Sequence, residues 1–180
     1  MHKALLESVP INQTVIRLIK DDITDLDVDA FVFYAQPDLA LGSGFGTAIS
    51  IRGGPSIQKE LETLAPVAPC EAVVSAAGKL KAKYIIHAVG PRFREEDIEG
   101  KLHATVLNSL ERADEKGIER IALPAMGAGY YGVPPDVCAR VMLEAIKTHL
   151  GGETGIKELT ICALDTVQHQ AFESRLKTFS

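Results

Sequence analysis

The chain of 180 residues is short of cysteine, with three in all. Cys70, Cys138 and Cys162 are odd in number, widely spaced and without a C-x-x-C pair, a pattern that fits neither a disulfide framework nor a zinc cluster. The five histidines lack the spacing of metal ligands, and no G-x-S-x-G motif or Cys/His pairing is present. We therefore expect no metal, no cofactor and no nucleophilic triad, and we expect a reducing, cytoplasmic location.

The chain also lacks an excess of positive charge and a long hydrophobic run. Its 19 lysines and arginines are outnumbered by 24 aspartates and glutamates, for a net charge of −5, so a nucleic acid held by its phosphates is a poor candidate partner. The longest nearly uncharged stretch, residues 30–51, contains Pro37, Asp38 and three glycines, which excludes a membrane-spanning helix. The first ten residues hold no apolar run of signal-peptide length. We expect neither membrane contact nor a targeting signal, and the sequence carries no signal for an oligomeric state.

The composition is that of a folded domain, with 46% hydrophobic and 24% charged residues. Apolar residues four apart, such as Leu102, Val106 and Leu110, indicate amphipathic helices. This helical pattern alternates with short apolar runs typical of strands covered on both faces, at residues 15–19, 30–35, 72–76, 84–89, 121–124 and 159–164. The alternation predicts one α/β domain over residues 1–180, with a mostly parallel sheet between two helical layers. Residues 1–13 precede the first clear strand and are either an arm or an edge strand.

Two glycine-rich turns, Gly42–Gly46 and Gly127–Gly132, each follow a predicted strand. Ligands of open α/β sheets bind beyond the carboxyl ends of the strands, so both loops can face one crevice. Glycine lets backbone N–H groups approach an anion, and a helix starting near Gly46 or Thr47 would point its positive end to the same place. A phosphate group fits this arrangement; the alternative is that the glycines serve only tight turns.

The second loop matches G-x-G-x-x-G, the fingerprint of dinucleotide-binding Rossmann domains. In that fingerprint a helix opens at the second glycine, whereas Pro134 and Pro135 place the helix start after the last glycine here. Neither loop ends in Gly-Lys-Ser/Thr, which excludes a Walker A site. The loops therefore disfavour a Rossmann dehydrogenase and a P-loop NTPase.

Three further polar features can contact a ligand or serve the fold alone. Asp22 follows the first predicted strand, where its carboxylate can accept a hydrogen bond from the exocyclic amino group of adenine or cap a turn. His87 lies within an apolar run and is expected to be a hydrogen-bonded core histidine. Arg52 and the turn Arg92-Phe93-Arg94 can meet an anion or stay solvated.

Five motifs, taken in order, resemble those of the macrodomain family of ADP-ribose-binding modules. They are Asp22-Ile23-Thr24, Val28-Asp29-Ala30-Phe31-Val32, Gly42-Ser43-Gly44-Phe45-Gly46-Thr47-Ala48-Ile49, Tyr84-Ile85-Ile86-His87-Ala88-Val89-Gly90-Pro91 and Leu123-Pro124-Ala125-Met126-Gly127-Ala128-Gly129-Tyr130-Tyr131-Gly132-Val133-Pro134. The resemblance covers residues 14–165 and implies a three-layer α/β/α fold with a mixed, largely parallel sheet of about six strands.

The resemblance also implies a ligand and its contacts. Asp22 would hold the adenine amino group, the two glycine loops would clasp the diphosphate with backbone N–H groups, and Tyr131 would pack against ribose. The implied ligand-binding residues are Asp22, Ile23, Gln36, Gly42, Ser43, Gly44, Phe45, Gly46, Met126, Gly127, Ala128, Gly129, Tyr130 and Tyr131.

Two departures from the family pattern bear on catalysis. Phe33-Tyr34-Ala35-Gln36 stands where the family usually has Asn-Ala-Ala-Asn, and the second asparagine would touch the distal ribose. In the clearest ADP-ribosyl hydrolases of the family an acidic residue follows the first glycine loop, at the position of Gly46 here. We therefore predict binding of ADP-ribose or an ADP-ribosylated protein with weak or no turnover, Gln36 and Tyr34 being the candidate catalytic residues. The alternatives are a hydrolase of ADP-ribosylated protein, ADP-ribose 1″-phosphate or O-acetyl-ADP-ribose, and a module that binds adenine-rich RNA.

Overall fold

The computed structural model describes residues 8–42 and 44–178, apart from the side chain of Tyr130. The described strands are β1 (Ser8–Ile11), β2 (Thr14–Lys20), β3 (Ala30–Tyr34), β4 (Ala72–Ala76), β5 (Tyr84–Ala88), β6 (Arg120–Pro124) and β7 (Glu158–Ala163). The described α-helices are α1 (Phe45–Gly53), α2 (Ser56–Leu64), α3 (Ile98–Glu115), α4 (Pro135–Leu150) and α5 (Thr166–Leu176). Two 3₁₀ turns span Ile23–Asp25 and Gly129–Tyr131.

The strands form one mixed sheet in the order β1-β2-β7-β6-β3-β5-β4. The five central strands are parallel, while β1 and β4 pair antiparallel at the two edges. All six strands predicted from apolar runs are present, and the sheet has seven strands rather than about six. The additional strand is β1, an edge strand of four residues with Pro10 in it, which tolerates proline because it pairs on one side only.

Helices cover both faces of the sheet, as a three-layer fold requires. On one face α1 and α2 pack through Ile49, Ile57 and Leu61 against strand residues such as Phe31 and Ile85. On the other face, α3, α4 and α5 pack on those residues of the same strands whose side chains point to that side of the sheet. The apolar stripe predicted around Leu102 lies in α3 and is fully buried, which confirms that part of the pattern.

β3 and β6 remain paired over only a short distance. Their register joins Ala30 to Ile121 and Phe31 to Ala122, whereas β3 pairs with β5 as far as Tyr34. From β3 the chain continues toward β4 and β5, and from β6 it continues to β7 on the other side. The two strands therefore part at a topological switch point, where open α/β sheets form their binding crevices.

His87 is a buried residue of β5, as predicted from its apolar surroundings. Its Nε2 lies 2.8 Å from the Ser75 hydroxyl, and its ring meets Phe33 edge to face at 6.0 Å. Burial disfavours the charged imidazolium and lowers the pKa of His87 to about 4. Between pH 4 and pH 6.5, His87 is therefore neutral in the folded protein, whereas it would be protonated in an unfolded chain.

We expect this histidine to make the fold sensitive to acid. Because the unfolded side chain takes up a proton below its usual pKa of about 6.5, the unfolding free energy should fall by about 3 kcal/mol between pH 6.5 and pH 4 from this group. Urea unfolding of the wild-type protein and of the His87→Gln variant across this range measures the effect. The variant should lose the pH slope between pH 4.5 and 6.5, and an unchanged slope would contradict the assignment.

Candidate ligand-binding cleft

A cavity of about 400 Å³ opens where β3 and β6 separate. Its size lies within the range of about 300–1,000 Å³ usual for small-molecule sites. We call it the main cleft; its lining residues are Ile23, Val32, Phe33, Tyr34, Gln36, Ala40, Leu41, Gly44, Phe45, Pro124, Ala125, Gly127, Ala128, Gly129, Tyr131, Cys162, Leu164 and Gln168.

The first glycine loop forms one wall and leads directly into α1. Gly44 has φ +64 and stands at the N-cap of the helix, which has no side-chain cap. A Cβ on Gly44 would meet no atom within 4 Å, so the space above this residue is open. The helix begins at Phe45, one residue before the predicted start, and the first N–H groups of a helix have no partner within it. The loop thus presents its backbone and the positive end of α1 to the cleft.

The second glycine loop forms the opposite wall, after β6. Gly127 has φ +84, and a Cβ there would lie 2.8 Å from Val133, so only glycine fits this turn. Gly129 has φ +71 and open space above it, and it begins the 3₁₀ turn that ends at Tyr131. The next helix, α4, begins only at Pro135, which confirms that this loop does not open a helix as a Rossmann fingerprint does.

Two tyrosines meet at one end of the main cleft. The rings of Tyr34 and Tyr131 lie edge to face with centroids 4.8 Å apart, and the guanidinium of Arg92 lies 5.9 Å from the Tyr131 ring centre. The Tyr34 hydroxyl donates a hydrogen bond to the carbonyl of Pro91, and a side chain at Gly90 would collide with its ring. Burial raises the pKa of Tyr34 well above its usual value, so its hydroxyl remains a protonated donor.

Asp22 stands at the other end, beside Ile23, and both of its carboxylate oxygens have partners. Oδ1 accepts hydrogen bonds from the Thr24 backbone N–H at 3.0 Å and the Thr24 hydroxyl at 2.6 Å. Oδ2 accepts one from Arg52 Nη1 at 2.7 Å. Partial burial raises the pKa of Asp22, but the hydrogen bonds from Thr24 and Arg52 outweigh it, and the pKa is lowered overall. The carboxylate is therefore ionised and held in one position.

The carboxyl end of β7 and the segment that follows it supply a wall that the sequence motifs did not reveal. Cys162, Leu164 and Gln168 all line the main cleft. Gln168 is 7% exposed, and its Oε1 accepts a hydrogen bond from the Leu164 backbone N–H at 2.8 Å. Burial raises the pKa of the Cys162 thiol to about 12, which keeps it neutral. The signal that points to these residues is their place just beyond the carboxyl end of a parallel strand.

The chain is similar to proteins of one family. A family model for the Macro domain matches residues 35–142. A protein of Saccharolobus solfataricus is 41% identical over 163 residues, covering 88% of this chain and 90% of its own. A macro domain-containing protein of Caldanaerobacter subterraneus is 39% identical over 152 residues, covering 80% of this chain and 85% of its own. The chain belongs to the macrodomain family.

Solved macrodomains share the fold. A mutant macrodomain of Oceanobacillus iheyensis, with ADPR, superimposes with a TM-score of 0.89 at 23% identity, covering 94% of this chain and 96% of that one. A Trypanosoma brucei macrodomain in complex with ADP-ribose superimposes with a TM-score of 0.82 at 25% identity, covering 89% of this chain and 68% of that one. The three-layer α/β/α architecture expected from the resemblance is confirmed.

This macrodomain brings nine of the site residues predicted from sequence into the main cleft. They are Ile23, Tyr34, Gln36, Gly44, Phe45, Gly127, Ala128, Gly129 and Tyr131. Four others are not part of its lining: Asp22 and Gly42 lie beside lining residues, Met126 is fully buried, and Gly46 is buried under the carbonyl of Leu41. Ser43 and the side chain of Tyr130 lie outside the described residues.

Residues 8–42 and 44–178 of this macrodomain contain neither a metal-ion cluster nor a membrane-spanning helix. No group of three or more His, Cys, Asp or Glu residues in these ranges is placed to hold a metal ion. No helix there is long and apolar enough to cross a membrane.

The raised pKa of Tyr34 can be measured directly in this macrodomain. Because its hydroxyl is buried and hydrogen-bonded to Pro91, the pKa of Tyr34 is raised, and we expect no phenolate from this residue near pH 10, where an ordinary tyrosine titrates. Phenolate absorbance of the wild-type protein and of the Tyr34→Phe variant should therefore coincide up to that pH, with circular dichroism showing that both remain folded. A deficit of one tyrosine in the variant near pH 10 would show that Tyr34 ionises normally.

Proposed function

We propose that the main cleft binds ADP-ribose or a derivative of it. The observation that carries this proposal is the open space above Gly44 and Gly129, two positive-φ glycines on opposite walls of one cavity. A diphosphate in that space can accept hydrogen bonds from backbone N–H groups on both sides, and the N-terminus of α1 adds a favourable dipole. No lysine lies in either glycine loop, so the backbone rather than a side-chain charge would hold the ligand.

The end of the cleft near Asp22 suits an adenine base. Ile23 and Leu164 provide apolar contacts, and the fixed carboxylate of Asp22 is an acceptor for the exocyclic amino group. Oδ2 accepts one hydrogen bond from Arg52, which leaves a second lone pair on that oxygen for the base. Guanine has a carbonyl oxygen in place of the amino group and would face the carboxylate unfavourably.

Relatives with the same fold support this choice of ligand. The Trypanosoma brucei macrodomain is in complex with ADP-ribose, and the Oceanobacillus iheyensis macrodomain has been solved with ADP and, as a mutant, with ADPR. Transferred to this chain, the adenosine would lie toward Asp22, the diphosphate between the glycine loops and the distal ribose toward Gln36 and Tyr131.

The residues around the proposed distal ribose favour binding over rapid hydrolysis. The Tyr34 hydroxyl already donates a hydrogen bond to the carbonyl of Pro91. Its raised pKa keeps it protonated at neutral pH, so it does not act as a base. Residue 46 is glycine, so no acidic side chain stands at the position that the resemblance assigns to the family's hydrolases, and the carbonyl of Leu41 lies where a Cβ would be. Gln36 faces the cleft and offers an amide, which can position a hydroxyl but cannot accept a proton as a general base does. The net charge of −5 likewise favours a small nucleotide over adenine-rich RNA.

Replacing Asp22 should remove the selectivity for adenine. The Asp22 carboxylate gains a charge-assisted hydrogen bond from the amino group of adenine and faces the carbonyl oxygen of guanine with repulsion, so we expect the wild-type protein to prefer ADP-ribose over GDP-ribose by about tenfold or more. In the Asp22→Ala variant this preference should disappear. Asp25→Ala is the matched control, because Asp25 lies in the same 3₁₀ turn but is mostly exposed.

Calorimetric titration with both nucleotides makes this measurement. Asp22 caps the 3₁₀ turn through Thr24, and equal losses of affinity for both nucleotides in Asp22→Ala would show that this is its only role and that it is not an adenine contact. No heat with ADP-ribose in the wild-type protein would contradict the proposed function itself.

Filling the space above a glycine of the cleft should abolish binding. Gly129→Val places a side chain where the diphosphate would lie, and its positive φ adds backbone strain of about 1–3 kcal/mol. Gly117→Val is the matched control, since Gly117 also has positive φ and open space above it but follows α3, away from the cleft. Both variants should lose similar stability in urea unfolding, while only Gly129→Val loses ADP-ribose binding. Equal binding by the two variants would remove the second loop from the site.

A further inference from the structure

One buried amide in the main cleft has a hydrogen-bond donor that the fold does not use. Eight buried residues of the described ranges carry a polar side chain other than tyrosine or cysteine, and of these only Gln168 lines the main cleft. Its Oε1 accepts the hydrogen bond from the Leu164 backbone N–H, but within residues 8–42 and 44–178 its Nε2 donates none. The buried side-chain atoms without a partner in these ranges are His87 Nδ1 and Arg112 Nε, so Nε2 of Gln168 is accessible rather than sealed in the core.

Two hydrogen bonds hold this amide in one orientation. The backbone N–H of Gln168 donates to the side chain of Asp165, the N-cap of α5, at 2.9 Å. The Leu164 N–H can only donate, so it must face the amide oxygen, and the NH₂ group of Gln168 must point the other way. The donor is therefore in place before a ligand binds, which lowers the entropy that binding costs.

The segment that contains Gln168 lies beside the segment that contains Asp22. The Asp21 backbone N–H donates to the Ala163 carbonyl at 3.2 Å, and the Cys162 thiol donates to the Asp21 carbonyl at 3.2 Å. These contacts hold the end of β7 against the turn that follows β2. An acceptor, the Asp22 carboxylate, and a donor, the Gln168 amide, thus stand at the same end of the main cleft.

This donor and acceptor together complement the edge of adenine. The amino group of adenine donates hydrogen bonds, and the ring nitrogens on either side of it, N1 and N7, accept them. A carboxylate can only accept, so it can contact the amino group but neither ring nitrogen. The NH₂ group of Gln168 supplies the donor that a ring nitrogen needs.

We propose that Gln168 is a second base-contact residue of this macrodomain, with Nε2 donating a hydrogen bond to a ring nitrogen of adenine next to the amino group that faces Asp22. This inference rests on the proposed function for the position of the base. Gln168 lies outside all five motifs of the family resemblance, so the contact is a property of this chain's own α5.

Analogues of ADP-ribose that lack one ring nitrogen test the contact. In the 1-deaza and 7-deaza analogues a C–H group replaces N1 or N7 of adenine. Calorimetric titration of the wild-type protein should show at least one analogue binding about fivefold more weakly than ADP-ribose, because a hydrogen bond is lost and its donor is left unpartnered. Equal affinity for all three ligands would overturn this proposal and leave the proposed function intact, whereas no heat with any of them would contradict both.

The variant Gln168→Glu separates the base contact from a structural role. Glutamate keeps an oxygen for the Leu164 N–H but lacks the donor, so the ratio of the affinities for ADP-ribose and the weaker analogue should fall from about fivefold to about one. Gln58→Glu is the matched control, because Gln58 Oε1 accepts from the backbone N–H of Leu41 at 3.2 Å, and Leu41 lines the main cleft while Gln58 does not. This control should keep the wild-type ratio. A ratio that persists in Gln168→Glu would assign the ring nitrogen to another donor and overturn the proposal.

The side-chain amide can also be followed directly by NMR. In the ¹⁵N-labelled full chain, the pair of NH₂ signals that is absent from Gln168→Glu belongs to Gln168. Saturation with ADP-ribose should move one of these two signals further than saturation with the weaker analogue does, because only ADP-ribose accepts its hydrogen bond. Equal shifts with the two ligands would contradict the contact.

Discussion

The parting of β3 from β6 is the constraint on which the rest of the site depends. These parallel strands pair over two residues each, and beyond Phe31 and Ala122 the sheet opens. β3 stays paired with β5 and β6 stays paired with β7, so each half of the sheet remains hydrogen-bonded on its outer side. Beyond that point residues of both strands, such as Val32 and Phe33 of β3 and Pro124 of β6, line the main cleft. The separation of the two strands thus creates the cleft, and the loops that follow them form its walls.

In the proposed function, backbone geometry rather than charged side chains would let an acidic protein bind an anion. The glycines on the two walls adopt positive φ, a conformation that other residues rarely adopt, and they leave the peptide groups accessible. Peptide dipoles and a helix N-terminus act over a few ångströms, so a net charge of −5 spread over the surface does not oppose them at close range. Selectivity among ligands then falls to the few polar side chains at the ends of the cleft.

Strands and glycine loops could be predicted because their signals are local. Continuous apolar runs marked β2 to β7, and proline at the start of α4 marked where the second loop ends. Contacts between distant segments could not be predicted in this way. The sequence contains a carboxylate at Asp22, but only the fold shows that Arg52, 30 residues later, holds one of its oxygens. Gln168 and Leu164 were missed for the same reason, because no motif surrounds them and only their place after β7 brings them to the cleft.

Gly46 limits how this macrodomain can change over evolution. Its Cα lies against the carbonyl of Leu41, within the turn that leads from β3 to α1, and any side chain there would collide with the main chain. A single substitution to aspartate or glutamate would therefore displace the glycine loop that forms one wall of the cleft. A lineage that acquired an acid at this position would first have to rebuild the segment from Leu41 to Gly46, by insertion or by a new turn. A point mutation alone cannot place a carboxylate at this position without moving that segment.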